Sequence, residues 1–362
     1  MMKVLVAMSG GVDSSVTAGL LTEQGNECVG CTMKLYNNED AGIPREHTCC
    51  SLDDVEDARS VAHRLGMPYY VFNFSDDFKE KVIDKFVREY LRGFTPNPCI
   101  DCNRYMKFDK LFERADILGC SHIATGHYAR IEKCGDKFLL KKAVDLSKDQ
   151  SYVLWNMTQE QLSRTLFPLG ELNKTETREI AQKYGFINAD KPDSQDICFV
   201  PDGDYGSVIE KYTGRKSLPG NFIDSKGNIL GKHNGIIRYT IGQHRGLGIS
   251  LGAKFYVTAI DAKNNTVTLG KSEELMSKGA VVSDFNFILG EAPAGKFKCK
   301  AKVRYRQTEQ DAVAEVNENG DVTVIFSDLQ RAVTRGQSAV LYDGDTVIGG
   351  GTIIDIISAE GF

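Results

Sequence analysis

The chain has 362 residues, of which 41% are hydrophobic and 26% charged, so it is long enough for two or three domains and too ordinary for a fibre, a coiled coil or a disordered polymer. Its 44 basic and 49 acidic residues leave a formal charge of −5, which excludes a global pull toward nucleic acid and leaves room only for a local basic surface. No stretch approaches the ~18 apolar residues of a membrane span; the short run Val4 to Met8 is no signal-peptide core, so the chain reads as cytoplasmic, with its ten cysteines reduced.

In chain order, Val4 to Met8 is a β-branched run ending in Ser9-Gly10-Gly11, after which Val16, Leu20 and Leu21 recur at helical spacing up to Gly25. Cys28 to Leu35 reads as a second strand. Val55, Ala58, Val61, Ala62 and Leu65 then mark a helix that Gly66-Met67-Pro68 stops, and Tyr69 to Phe74 is a third strand. Helical spacing returns at Phe78, Val82, Phe86 and Tyr90, resumes from Tyr105 to Leu118, and gives way to a fourth strand at His122 to Gly126. This repetition predicts an α/β fold, a doubly wound parallel sheet. From Gly220 the chain becomes glycine-punctuated, with short strands from Phe255 to Ile260, Thr266 to Leu269, Val281 to Leu289, Lys298 to Arg306, Val322 to Phe326, Ala339 to Tyr342 and Val347 to Ile357. Such strands predict two small β-rich domains, barrels or sandwiches. The expected units are a catalytic domain over 1–204, a central β-rich domain over 205–278 and a C-terminal barrel over 279–362.

The sharpest motif is Ser9-Gly10-Gly11-Val12-Asp13-Ser14-Ser15, between the first strand and the first helix. Adjacent glycines let backbone amides approach phosphate oxygens, the helix start adds N–H donors, and the serines add hydroxyls. Asp13 is repelled by phosphate, so a carboxylate here makes sense as a holder of Mg²⁺ or of the attacked group. No Lys-Ser or Lys-Thr ends the loop, which excludes a Walker A motif.

Two CxxC spacings occur. Cys28 and Cys31 sit within a predicted strand, where residues three apart face opposite sides, so they read as core hydrophobes. Cys49, Cys50, Cys120, Cys134 and Cys299 receive the same reading. Cys99 and Cys102 lie in Thr95-Pro96-Asn97-Pro98-Cys99-Ile100-Asp101-Cys102-Asn103, whose two prolines predict an irregular loop. A helix starting at Asn103 would place Cys102 at its N-terminus, where the dipole favours a thiolate. Cys198 lies in Asp193-Ser194-Gln195-Asp196-Ile197-Cys198-Phe199. Either loop alone is equally consistent with an ordinary buried thiol.

The Ser-Gly-Gly-x-Asp-Ser loop resembles that of the ATP-pyrophosphatase family, whose fold is adenine-nucleotide alpha-hydrolase-like. Together with the cysteine loops, Ala124 to Arg130, Lys148 to Tyr152, Tyr239 to Gln243, Gly246 to Gly248 and Arg304 to Arg306, the chain resembles the tRNA-specific 2-thiouridylases along its whole length. That resemblance implies an ATP-dependent transferase that thiolates the wobble uridine of tRNA. It implies ATP binding by Ala7, Met8, Ser9, Gly10, Gly11, Val12, Asp13, Ser14, Met33 and Gly126, with Mg²⁺. It implies a persulfide on Cys198 and a second catalytic thiol at Cys102, fed by a sulfur-relay protein or a cysteine desulfurase. Adenylation turns uridine O2 into a leaving group, a persulfide attacks C2, and a second thiol cleaves the remaining S–S bond. Cys99 departs from the aspartate expected there in the better-known bacterial form. An iron–sulfur cluster on Cys99, Cys102 and Cys198 is the second reading of these thiols. An adenylating synthetase using ammonia is the rival that needs no thiol.

Lys296 to Arg306 alternates six cations with five mostly apolar residues, which on a strand gives either a phosphate-binding stripe or a solvated face. The resemblance implies tRNA contacts at Arg304, Tyr305, Gln337, His127 and Lys148, Asp149 and Gln150. It places Asn97, Pro98 and Cys99 against the target base, splayed from the anticodon loop, in lysine, glutamate and glutamine tRNAs.

Overall fold

Strand β1 (Lys3–Ala7) is buried along its centre and runs through the Ser9-Gly10-Gly11 turn into α1 (Val12–Glu23). The computed structural model describes residues 1–36, 52–192, 197–200 and 203–359; Cys49, Cys50 and Asp193 to Asp196 lie outside them. Beyond β1 follow β2 (Glu27–Lys34), α2 (Leu52–Arg64) and β3 (Tyr69–Asn73). Next come α3 (Ser75–Phe78), a π-turn at Lys79–Ile83 and α4 (Asp84–Leu91). Then α5 (Pro98–Asp101) passes without a break into a π-helix (Cys102–Lys110) and α6 (Leu111–Ile117). β4 (His122–Ala124) and β7 (Thr165–Leu166) complete a five-stranded, all-parallel sheet of order β3-β2-β1-β4-β7.

Alternation along β1 sorts the core. Val4 and Val6 join a cluster with Val16 of α1 and Ala58 and Val61 of α2, while Leu5 joins Phe108, Leu111 and Trp155 on the other face. Both faces are therefore covered by apolar layers, as a parallel sheet requires. Cys28 and Cys31 fall into these two opposite clusters, both buried. Cys120 and Cys299 are also buried. Cys134 departs from the expectation: it is exposed at the tip of the hairpin formed by β5 (Ala129–Cys134) and β6 (Lys137–Lys142).

After α7 (Gln159–Ser163), α8 (Lys174–Tyr184) and α9 (Tyr205–Thr213), a four-stranded sheet of order β10-β11-β8-β9 forms from β8 (Gly220–Ile223), β9 (Ile229–His233), β10 (Tyr256–Asp261) and β11 (Thr266–Gly270). The last unit is a six-stranded barrel. Its strands are β12 (Met276–Phe287), β13 (Phe297–Lys302), β14 (Gln310–Val316), β15 (Val322–Arg331), β16 (Ser338–Asp343) and β17 (Thr346–Ser358), and β12 pairs with β17 to close it. The β5–β6 hairpin, from the first half of the chain, pairs with β17 at Lys141 and Thr346. Next to it Lys142 is buried, its ammonium bonded to Glu309 and to the Gly344 carbonyl and set 4.6 Å over the Tyr342 ring.

The basic stripe is shorter than its sequence pattern. Strand β13 ends at Lys302, and Arg304 to Gln307 form a turn in which alternation stops. Lys296 and Lys300 are opposed across the ladder by Glu315 (3.4 Å) and Asp311 (3.3 Å), and Lys302 is tucked beneath, 4.0 Å from Asp149. What remains for a polyanion is exposed Lys298 and the exposed turn of Arg304, Tyr305 and Arg306.

Candidate active site

The glycine turn is held by its own hydroxyls. Ser9 N–H donates to Ser14 Oγ at 3.1 Å, and the Ser14 and Ser15 hydroxyls each donate to the Gly11 carbonyl at 3.0 Å. Gly11 stands at the N-cap of α1 and offers no side chain to the first helical amides, which leaves them to an anion. Asn188 braces the turn from behind, its Nδ2 donating to the Gly10 carbonyl and to Ser15 Oγ, each at 2.9 Å. Two glycines are dictated by space. Gly10 has φ +77°, and a Cβ there would stand 2.4 Å from the Asp54 carbonyl oxygen; at Gly126 it would stand 2.9 Å from the Asp13 carbonyl carbon and the Ser14 nitrogen.

Ser9 to Ser14 and Gly126 thus share one surface, with Met33 near the end of the neighbouring strand β2. Ala7 ends β1, whereas Met8 and Val12 are buried and can offer only their backbone. Asp13 has a partner that sequence reading missed. Lys174, the first residue of α8, sets its Nζ 2.7 and 2.9 Å from the two carboxylate oxygens, and the Tyr128 hydroxyl donates to Oδ1 at 2.9 Å. Asn173 and Glu176 form a capping box that fixes the start of α8, and this was the legible signal for Lys174.

The cysteine segment is helical earlier than expected. Asn97 caps α5 by accepting from Cys99 N–H at 3.2 Å, and Pro98 takes the first helical position, so Cys99 is exposed in the first turn and Cys102 is the residue after α5. The expected dipole effect on Cys102 is therefore lost. Burial pushes its thiol up to about 11, Cys99 and Asp101 add to the rise, and Lys107 opposes it. Nearby, buried Asp101 is paired with Lys85 at 2.7 Å. Asn156 Nδ2 donates to the Ile100 carbonyl at 3.2 Å and Asn103 Nδ2 to the Val153 carbonyl at 2.9 Å. The barrel grips the same segment: Thr95 N–H donates to the Arg335 carbonyl at 3.0 Å, and Gln337 Nε2 donates to the Thr95 carbonyl at 2.7 Å.

Cys102, Cys198 and Met33 all pack against one apolar cluster, which includes Tyr36, Phe78 and Phe199. The Tyr36 hydroxyl donates to the Cys198 carbonyl at 2.7 Å. Among the described residues, no three His, Cys, Asp or Glu side chains gather as a ligand set.

The residues expected to touch tRNA divide. Arg304 and Tyr305 are exposed on their turn. His127 and Asp149 are buried. Asp149 accepts from Ala143 N–H at 3.1 Å and from the Ser151 hydroxyl at 2.8 Å, and Gln150 Oε1 accepts from Tyr128 N–H at 2.9 Å. Gln337 is committed to Thr95. Lys148 is half-buried beside them.

A parallel sheet whose first turn is built for phosphate, two thiols on one apolar cluster, and a closed barrel gripping the thiol-bearing segment define an ATP-pyrophosphatase-type transferase. Three family profiles match the chain in order: a tRNA methyl transferase HUP domain over residues 2–202, a tRNA methyl transferase PRC-barrel domain over 206–271 and an aminomethyltransferase beta-barrel domain over 277–353. The chain is 53% identical to the tRNA-specific 2-thiouridylase MnmA of Acetivibrio thermocellus, over 97% of this chain and 99% of that one. It is 49% identical to the protein of the same name from Clostridioides difficile, over 97% and 98%. The chain belongs to the tRNA-specific 2-thiouridylase family.

Proposed function

We propose that the chain uses ATP to replace O2 of the wobble uridine of tRNA by sulfur. Uridine O2 attacks the α-phosphorus held over the glycine turn, pyrophosphate leaves, and C2 becomes open to substitution. A persulfide on Cys198 attacks C2 through its outer sulfur and AMP departs. The Cys102 thiolate then attacks the inner sulfur, so the S–S bond breaks, its electron pair stays with the sulfur on C2, and a Cys102–Cys198 disulfide forms for an external thiol to reduce. The persulfide comes from a cysteine desulfurase or a relay protein.

Asp13 is the carboxylate that would hold Mg²⁺, an ion that keeps waters and takes one or two carboxylates plus phosphates. Bound there, it would neutralise charge on the departing pyrophosphate. Lys174 already balances Asp13 and stands where a phosphate would benefit from a second cation. The Arg304 to Arg306 turn would meet the tRNA backbone, and Asn97 to Cys99 the flipped base.

The observation that carries this reading is the packing of both Cys102 and Cys198 on the cluster that Met33 also touches. The test is conversion of tRNA uridine to 2-thiouridine, followed by mass spectrometry with ATP and a persulfide donor. Cys102→Ser and Cys198→Ser should each abolish the product while pyrophosphate release persists. An ammonia-using synthetase or a methyl transferase needs neither thiol, so full turnover by either variant would overturn the proposal.

A further inference from the structure

Cys102 poses a problem for the sulfur transfer proposed above, on which this inference rests. A resolving thiol must ionise, yet Cys102 sits in an apolar cluster, beyond the reach of a helix N-terminus and next to Cys99 and Asp101. Asp101 is offset by Lys85 at 2.7 Å, and Arg104, two residues along, is spent on Asp284. Cys198 and Tyr105 border the same cluster and carry no positive charge.

The segment that follows Cys102 supplies what is missing. Cys102–Lys110 is a π-helix, in which the backbone closes on the fifth residue rather than the fourth. Residue 107 is thereby rotated back toward the face of residue 102, whereas in an α-helix it would point well away. Lys107 is held from its other side. Its Nζ lies 3.4 Å from His127 Nε2, and Thr125 Oγ1 lies 2.7 Å from His127 Nδ1. An ammonium can only donate, so Nε2 accepts, and the imidazole of this tautomer gives its Nδ1–H to Thr125. The ring is walled in by Phe108 and Phe167, at centroid distances of 6.1 and 5.8 Å. Burial and the nearby ammonium hold His127 well below the usual histidine range, so it stays a neutral acceptor.

We propose that Lys107, presented by the π-helix and oriented by neutral His127, is the cation that stabilises the Cys102 thiolate during sulfur transfer. The Cys102 thiol gives its proton to water, Lys107 keeps its own, and a thiolate–ammonium pair stands ready to attack the inner sulfur of the Cys198 persulfide. His127 is then a positioning residue that acts through Lys107.

The experiment follows alkylation of Cys102 by iodoacetamide against pH in the full chain without ATP or tRNA, using peptide mass spectrometry and exposed Cys134 as internal reference. An opposite charge at close range moves a pKa by about 1–3 units. The Lys107→Met profile should therefore lie at least about one unit above wild type, with about tenfold slower alkylation near neutrality. Lys107→Arg should keep the wild-type profile, and His127→Leu should move toward that of Lys107→Met. Coincident wild-type and Lys107→Met profiles in protein with an unchanged melting temperature would overturn the proposal. Should Lys107→Met fail to fold, Lys107→Gln and His127→Leu decide in the same way. The readout needs no thiolation, so it can fail while the cysteine relay stands, and the reverse.

Discussion

Replacing Gly126 by alanine tests whether the nucleotide site is built on backbone proximity. The added Cβ would lie 2.9 Å from both the Asp13 carbonyl carbon and the Ser14 nitrogen and 3.1 Å from the Asp13 Cβ. Ordinary contact begins near 3.4 Å, and two of these neighbours are backbone, so no rotamer change relieves the clash. Either β4 or the turn must retreat by about 0.5 Å or more, and overpacking of this kind costs about 1–3 kcal/mol. Because the displaced atoms belong to the first turn of α1, most of that cost falls on phosphate binding. Converted at about 1.4 kcal/mol per tenfold, ATP affinity should fall by about 5- to 150-fold. Isothermal titration with ATP and tRNA-dependent pyrophosphate release would report it, with a thermal melt showing that the sheet persists. Wild-type ATP affinity in folded Gly126→Ala would refute the packing argument.

Asp13→Asn should abolish pyrophosphate release and leave tRNA affinity near wild type, checked by filter binding. Gln337→Ala removes the clamp on the Thr95 carbonyl; it should lower the rate of thiolation and loosen the Cys99 segment, visible as faster alkylation of Cys99 before any tRNA is added. Arg304→Ala should make the slope of log affinity against log salt shallower by about one, whereas Lys302→Ala, already opposed by Asp149, should leave it unchanged. His127 is neutral in the fold but takes up a proton when unfolded below about pH 6.5, so its contribution to stability is present above that value and is lost as pH falls. One extra proton on the unfolded chain corresponds to about 1.4 kcal/mol per pH unit. His127→Gln should flatten the acid limb of the stability curve measured by urea titration.

Much of the architecture was readable because period and punctuation were unambiguous. The apolar run from Val4 to Met8, and the glycine turn before Val12, carried strand, loop and helix together. The cysteine segment was misread at its start. Asn97-Pro98 is an N-cap followed by a favoured first helical residue, yet two prolines in four positions look equally like a loop, and local pattern cannot decide between them. The Lys296 to Arg306 alternation gave no sign of its end at Lys302, because Gln307 turns the chain by donating and accepting within the loop rather than by glycine or proline. Lys174 meets Asp13 and Gln337 meets Thr95 across the fold, so no local window contains either contact.

The pairing of the β5–β6 hairpin with β17 has a mechanical consequence. Residues 129–142 belong by sequence to the nucleotide-binding half, yet Lys141 is registered against Thr346, Lys142 N–H donates to the Asp345 carbonyl at 2.8 Å, and the Trp155 indole reaches Ser338 at 3.2 Å. Cutting the chain between the first unit and the second therefore severs a covalent link without separating the bodies that it joins. A protease nick near residue 203 should leave both fragments migrating together under native conditions, parting only in denaturant. Load applied to the barrel would then pass into the catalytic half through a shared sheet rather than through a tether.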